Sequence, residues 1–378
     1  MRRQGFTEDG KTEVQVLDYK QQQHRLFPLL ASSYCFFFTG KKLLERLKDI
    51  EMRFLTENPV TKAEVTDIHA SSSALKSFTT TVAADGIEDC RKACGGHGYL
   101  QSSGLPELVT TYLMNPTVEG DNHMLPQQVC KVLFKLVQAV ASGDDLTSYT
   151  KCDCFDLISP LEIILSGHKE VFSLRTSKEI LNTEVLLRAF RYRAARLLAE
   201  CAEQMQQCTM DGKNPQEAWN EGLVQMARVS RAYSQYLLLR NFFQGVGDSK
   251  SVLGLPERSV LLNLAQLFGL YWMERDIGDF FEAGYFLHEH ANWVRSKVLA
   301  LLDTIRPNAV ALVDAFDYSD FILKSTLGRF DGDVYPAIME ASKRDPLNKS
   351  EIGPGYEEHL KRLIVGGVGV YTGTASRL

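Results

Sequence analysis

The sequence predicts an all-α protein built of two helical bundles. Apolar residues recur at the i, i+3, i+4 spacing of helices through most of the chain, whereas sustained alternation of apolar and polar residues is nearly absent. With 378 residues, 44% of them apolar, the chain is long enough for two or three domains with sizeable cores. A stretch rich in small and acidic residues at 141–156 separates two sets of helical stripes.

The helices are predicted one by one from these stripes. The clearest lies at 124–140, where seven apolar residues fall on one face of a helix. The other stripes lie at residues 13–49, 62–93, 180–209, 214–246, 256–280, 284–305 and 308–327. A second irregular stretch at 345–358 precedes a last short helix. We therefore expect one helical domain over residues 1–145 and a second over residues 156–375.

Charge and composition argue against some classes of binding partner. The net charge of -5 argues against nucleic acid and anionic membranes, because either requires a clustered excess of lysine and arginine. The longest uncharged run, residues 26–40, is shorter than the roughly 18 to 20 residues of a membrane-spanning helix. We therefore expect no membrane span. The eight cysteines lack the paired spacing typical of zinc sites, so no metal site is predicted.

The most informative segment is a glycine-rich interruption at residues 94–122. Residues 62–93 predict one long helix, and Gly95, Gly96 and Gly98 follow it directly. Glycine accepts positive φ and lets another backbone or a ligand approach closely. The glycines therefore predict the end of the helix and a loop behind it.

One carboxylate, Glu119, stands where the chain is expected to become helical again. A turn is predicted before Pro106, and helix is predicted only after Gly120. Asp121 or Asn122 would cap the exposed amides of that helix. Two interpretations of Glu119 are open: a solvated residue favoured by the helix dipole, or a general base buried beside an apolar ligand. The spacing alone does not choose between them.

Longer motifs favour the second interpretation, in which Glu119 is a general base. DCRKACGGHGYLQSSGLPELV and TVEGDN, at 89–109 and 117–122, resemble the acyl-CoA oxidase family, and so do the segments at 17–34, 77–99 and 306–336, in the family's order. The resemblance covers nearly the whole chain. It implies that residues 1–145 form the C-alpha1 domain, similar to the acyl-CoA dehydrogenase four-helix bundle. Residues 156–375 would then be the C-terminal helical domain of the oxidases.

The resemblance also implies an enzyme activity. Acyl-CoA oxidases are peroxisomal FAD enzymes of fatty-acid β-oxidation that convert acyl-CoA to trans-2-enoyl-CoA, with O2 as electron acceptor and hydrogen peroxide as product. Glu119 matches the base that takes the Cα proton, and its backbone N–H would donate a hydrogen bond to the thioester carbonyl. Gly120 would contact the substrate.

Three segments match regions that contact FAD in this family, often across the interface of a homodimer. They contain Arg2 and Gln4, then Gln23, and then Gly95, Gly96 and Gly98. A guanidinium can pair with pyrophosphate oxygens, and glycines expose the backbone to a cofactor. Taken singly, Arg2 would be interpreted as a terminal charge and Gln23 as a helix-surface residue. His97 would contact either the cofactor or the backbone.

The last three residues, Ser376, Arg377 and Leu378, match the C-terminal address that the peroxisomal import receptor binds. They imply a peroxisomal location.

Two departures from the family pattern leave alternatives open. The resemblance begins in the middle of the family's chain, so we expect only the two C-terminal helical domains, and Val118 stands where the family has tyrosine. A catalytically inactive, truncated oxidase that serves as a helical partner subunit is one alternative. An acyl-CoA dehydrogenase is the other.

Overall fold

The protein is almost entirely helical in its computed structural model, which describes residues 3–7, 9–56, 58–249 and 252–365. The all-α prediction is confirmed. A short antiparallel hairpin, β1 (Arg3–Phe6) and β2 (Glu13–Gln15), comes first. The helices are α1 Lys20–Leu55, α2 Lys62–Ala93, α3 Leu105–Tyr112, α4 Leu125–Ser142, α5 Ile158–Leu165, α6 Thr183–Met210, α7 Pro215–Asp248, α8 Leu255–Arg275, α9 Ile277–Phe281, α10 His288–Ile305, α11 Ala309–Asp314, α12 Asp320–Leu323, α13 Val334–Arg344 and α14 Lys361–Val365. None of these described helices has both the length and the apolar character needed to cross a bilayer.

The predicted boundaries are correct for α2 and wrong where a helix breaks without glycine or proline. The stripe at 13–49 was expected to be helical throughout, but β2 occupies its first residues and α1 begins only at Lys20. The stripe at 308–327 is two short helices rather than one, and Asp317 between them has φ of +53°. Apolar periodicity continues across such breaks, so it does not reveal them.

The junction between α1 and α2 is fixed by a capping box. The Thr61 hydroxyl accepts a hydrogen bond from the Glu64 amide at 3.1 Å, and the Glu64 carboxylate accepts one from the Thr61 amide at 2.8 Å. Arg53, in the last turn of α1, donates to Glu64 at 2.5 Å. That hydrogen bond is the main cause that lowers the pKa of Glu64 to about 2. One carboxylate thus starts α2 and ties it to the end of α1.

Helix α7 lies at the centre of the molecule. It packs against α1, α2, α4, α6 and α8, and its middle turns are buried on every side, as Tyr233, Leu237 and Phe242 illustrate. Its neighbours come from both predicted domains, and the buried apolar residues of the two parts form one continuous cluster. The division into domains over 1–145 and 156–375 stays a prediction, and the two parts share a core.

A buried ion-pair network joins α6 and α7 to the break between α8 and α9. The Arg193 side chain is 2% exposed; its Nε donates to Asp279 at 2.8 Å and its Nη2 donates to Asp276 at 3.1 Å. From α7, Gln235 and Arg231 also donate to Asp276. Burial opposes the ionisation of Asp279, but ion pairing with the arginines holds its pKa below the usual range. Each buried charge in this network therefore has partners.

We expect Asp279→Ala to lower the free energy of unfolding by about 3 kcal/mol, because it leaves the buried Arg193 guanidinium short of a partner. Asp303→Ala is the matched control. It removes an exposed carboxylate that pairs with Lys20, and should change the free energy by less than about 1 kcal/mol. Urea denaturation followed by circular dichroism measures both. Equal losses would contradict the buried network as a source of stability.

The capping box gives a pH-dependent contribution to stability. The folded-state pKa of Glu64 is below its ordinary value of 4.5, so the charged side chain stabilises the fold above about pH 4.5, and this contribution is lost as the pH falls toward 2. We expect Glu64→Gln to be less stable at pH 6 and to show a flatter decline on acidification. Urea midpoints between pH 6 and 3 test this, with Glu203→Gln, on an exposed part of α6, as the control. Parallel curves for the wild type and Glu64→Gln would contradict it.

Candidate active site

The predicted end of α2 is confirmed, and its glycines have different structural roles. Gly95 has φ of +61° and begins a 3₁₀ turn, Gly95–Tyr99. A Cβ atom on Gly98 would lie 2.0 Å from the carbonyl oxygen of Arg91, so only glycine fits there. A Cβ atom on Gly96 would meet nothing within 4 Å. Gly98 therefore seals the turn against α2, whereas Gly96 leaves an open face of backbone.

The chain behind this turn is helical, contrary to the prediction of helix only after Gly120. Helix α3 follows Gly104, whose φ of +74° reverses the chain, and Pro106 lies in the first turn of α3, where its missing N–H leaves no bond unmade. Helix α3 packs on α2 and returns the chain toward the middle of that helix. The sequence predicts a turn before Pro106, but a proline also suits the start of a helix.

Glu119 lies at the end of this return path in a left-handed turn. Its φ is +53° and that of Gly120 is +103°. The φ of Gly120 is one that residues with a side chain rarely adopt, so the backbone conformation favours glycine there. The Glu119 side chain is exposed, so this chain by itself does not supply the burial expected of a general base. Its amide donates no hydrogen bond to any residue in the described part of the chain. A carboxylate and a free N–H thus stand side by side on one turn.

The predicted capping of the next helix by Asp121 or Asn122 is wrong. Helix α4 begins at Leu125 with no side-chain cap, and Pro126 occupies its first turn as expected. The Asp121 carboxylate accepts instead from the His123 amide at 2.8 Å. The Asn122 side chain is directed into α2, so its hydrogen-bonding groups are used by tertiary contacts rather than by the helix end.

Two residues that the sequence did not single out as functional hold this turn. The Lys76 ammonium donates to the Gly120 carbonyl oxygen at 2.5 Å and to Asn122 Oδ1 at 2.9 Å. Asn122 Nδ2 donates to the hydroxyls of Thr80 and Thr81 at 2.9 and 2.8 Å. The run of lysine, serine and threonines at 76–81 was the available signal, because such a polar stretch within a buried helix needs partners.

The residues matched to flavin contacts gather at the other end of α2. Gln23 is buried, with 3% exposure, so its interpretation as a surface residue is excluded. Its Nε2 donates to the Leu17 carbonyl at 3.1 Å, and its Oε1 has no hydrogen-bond partner within the described residues. Gln22 donates to the carbonyl of Ala93, just before the turn Gly95–Tyr99, which we call the glycine turn. An orphaned acceptor and the open backbone at Gly96 fit a polar cofactor at this end.

The remaining predicted residues have different outcomes. Arg2 lies outside the described residues, as do Ser376, Arg377 and Leu378, and Gln4 is described only through the backbone of β1. The exposed ring of His97 lies edge-on to that of Tyr335, with 6.4 Å between centroids.

The base and the flavin-contact segments are separated along α2. Lys76, which holds the Glu119 turn, precedes Ala93 by about 17 residues, or about 26 Å at 1.5 Å per residue. The structure therefore brings together Gln23 and the glycine turn, and it brings Glu119 together with Gly120 and Lys76. It does not bring the two sets together within one chain.

A cluster of ligand-type atoms lies elsewhere, at Asp67, Cys152 and Cys154, all within 4.8 Å of one another. The Asp67 carboxylate already accepts hydrogen bonds from the amides of Asp153 and Cys154, at 2.7 and 3.1 Å, and from Arg46 at 2.6 Å. A hydrogen bond with Cys152 and burial raise the pKa of Cys154 well above its usual range, which keeps the thiol protonated. The Asp67 carboxylate thus caps the 3₁₀ turn that begins at Asp153. Its oxygens already accept hydrogen bonds.

Comparison with known proteins identifies the family. A family model described as acyl-CoA oxidase, C-alpha1 domain, matches residues 1–134, and one described as acyl-CoA oxidase matches residues 182–365. Peroxisomal acyl-coenzyme A oxidase 1 of Arabidopsis thaliana is 38% identical over 364 residues, and its namesake from Rattus norvegicus is 37% identical over 368 residues. These alignments cover 96% of this chain, and 52% and 53% of the two relatives.

Solved structures agree with the sequence relatives. Arabidopsis thaliana acyl-CoA oxidase 1 superposes with a TM-score of 0.88 at 36% identity, over 97% of this chain and 53% of that one. Acyl-CoA oxidase-2 of Caenorhabditis elegans, bound with FAD, ascaroside-CoA and ATP, superposes with a TM-score of 0.84 at 29% identity, over 99% of this chain and 53% of that one. This chain belongs to the acyl-CoA oxidase family. It spans about half the length of the relatives it matches.

The two glycines of the turn after α2 give a direct test of its packing. We expect Gly98→Ala to lower the free energy of unfolding by about 1–3 kcal/mol, because its Cβ would overlap the Arg91 carbonyl oxygen. Gly96→Ala is the matched control and should stay within about 1 kcal/mol, since its Cβ would meet open space. Thermal unfolding of both variants measures the two losses of stability. A tolerated Gly98→Ala would refute the close contact.

Proposed function

We propose that this chain provides the catalytic base of an acyl-CoA oxidase that converts acyl-CoA to trans-2-enoyl-CoA in peroxisomal fatty-acid β-oxidation. The observation that carries the proposal is the left-handed turn at Glu119 and Gly120, which presents a carboxylate and a free amide in a member of this family. The chemistry that FAD supplies when bound is acceptance of the hydride from Cβ and reoxidation by O2, which yields hydrogen peroxide.

Glu119 has two tasks in this reaction. Its carboxylate takes the proton from Cα of the thioester, a weakly acidic position that demands a well-placed base. Its backbone N–H donates to the thioester carbonyl oxygen, where negative charge develops as the proton leaves. Gly120, next along the turn, lets the substrate approach the backbone closely, because it has no side chain. Both groups belong to one turn, so the base and the hydrogen-bond donor keep a fixed relation to each other.

We assign the cofactor-holding residues of this chain to the active site of a partner subunit in a homodimer. Gln23 and the open backbone at Gly96 lie about 26 Å along α2 from the Glu119 turn. A separation of that size favours a site in which one subunit supplies the base and the other holds part of the cofactor. Arg2 and Gln4 complete the cofactor-holding set in this proposal, with the Arg2 guanidinium pairing with pyrophosphate.

The proposal includes a peroxisomal location. Ser376, Arg377 and Leu378 match the address that the import receptor binds, and the relatives at 37% and 38% identity are named as peroxisomal proteins.

Substitution of the base tests the function. We expect the purified chain with FAD to lose its visible flavin band on anaerobic addition of a long-chain acyl-CoA, and Glu119→Gln to slow that bleaching by about 10²- to 10⁴-fold, because an amide does not accept the proton. Glu107→Gln, an exposed glutamate on the neighbouring α3, is the matched control and should bleach at the wild-type rate. Stopped-flow absorbance measures all three proteins.

Other outcomes support the alternatives. A wild-type chain that never bleaches, alone or mixed with a larger oxidase subunit, would contradict a catalytic role and support an inactive partner subunit. Bleaching without oxygen uptake on return to air would favour a dehydrogenase.

A further inference from the structure

We propose that Lys76 and Asn122, which we call the latch, are positioning residues that hold Glu119 in its reactive orientation. The inference rests on the proposed function, in which Glu119 is the base. Glu119 adopts φ of +53°, a region that side-chain-bearing residues rarely occupy without support from their surroundings. Something outside the turn must therefore keep it there.

Lys76 supplies the first support. Its ammonium donates to the carbonyl oxygen of Gly120, one residue after the base, at 2.5 Å. No carboxylate pairs with Lys76 among the described residues, so its hydrogen bonds go to the carbonyl of Gly120 and the amide oxygen of Asn122. A cation directed at a backbone carbonyl fixes the orientation of that peptide plane. The contact therefore fixes the C-terminal side of the turn, one residue after Glu119.

Asn122 supplies the second support and locks the lysine in place. Its Oδ1 accepts from Lys76 at 2.9 Å, while its Nδ2 donates to the carbonyl of Ser77 at 3.0 Å and to the two threonine hydroxyls of α2. The Ser77 hydroxyl donates in return to the Asn122 carbonyl at 2.8 Å. A short side chain with one acceptor and two N–H donors, which the three acceptors share, is needed to make these contacts, and only asparagine offers that set at this length.

The latch joins the turn to a rigid element. Ser71, Ala74 and Phe78, on the same stretch of α2, are buried in the core. The latch residues thus transmit the position of a packed helix to an otherwise exposed turn. A loop that carries a base gains precision when it is hydrogen-bonded to such a scaffold.

The test uses Lys76→Met, which keeps the length of the side chain and removes its donors. We expect the hydrogen-bonded amides of the turn, those of Thr117, Val118 and Asn122, to exchange hydrogen at least about tenfold faster, since the turn loses its tether to α2. In the flavin-loaded protein, the rate of bleaching at saturating acyl-CoA should fall at least about tenfold with KM changed less than about twofold, because the base is displaced rather than the binding surface. Lys76→Arg, which retains donors, should recover most of the rate.

Controls separate the latch from the proposed function. Lys62→Met, an exposed lysine on the same helix, should leave both measurements unchanged. Should Lys76→Met not fold, Asn122→Ser removes the other half of the latch. Faster exchange with a wild-type bleaching rate, or slower bleaching without faster exchange, would overturn the positioning role. If the wild type itself never bleaches, the proposed function fails, and the exchange measurement alone still decides whether the latch holds the turn.

Discussion

Helix turns that are buried on every side leave little room for unpaired polar groups, and the middle turns of α7 impose that condition on their neighbours. The polar side chains of α7 are directed to defined partners: Gln235 and Arg231 donate to Asp276, and the Ser234 hydroxyl donates to the Ala74 carbonyl of α2 at 2.8 Å. The second of these contacts brings two helix backbones close together. Because α2 is held against the centre in this way, the segments attached to α2 inherit a fixed position.

Helix α2 in turn sets the geometry of the candidate site. The chain leaves its C-terminal end through the glycine turn, returns along it as α3 and reaches its middle at the Glu119 turn. Nothing in the turn itself dictates this position, since Glu119 is exposed and unsupported by its immediate neighbours. The position comes from contacts between residues far apart in sequence, such as Ser77 with Asn122. The candidate site is thus a tertiary construction on a helical frame.

The sequence predicted what local chemistry controls. The all-α class, the bounds of α2 and the glycine end of that helix follow from periodicity and from backbone freedom, and all were correct. The misjudged features depend on partners that are distant in the chain. Asn122 is a good helix cap by residue type but bonds to α2, and Gln23 looks like a surface residue but is buried. Pro106 is compatible with either a turn or a helix start, and only packing on α2 chooses.

The contact between Gly98 and the Arg91 carbonyl affects how the evolution of such chains can be interpreted. A glycine that matches a flavin-contact segment of the family is readily taken as a mark of retained cofactor binding. Here the steric demand at Gly98 exists without any cofactor, because any side chain would collide with the end of α2. A descendant that had lost its flavin altogether would remain under selection to keep this glycine. No such collision constrains the neighbouring Gly96. Substitutions would therefore accumulate at Gly96 first in a descendant that no longer binds flavin.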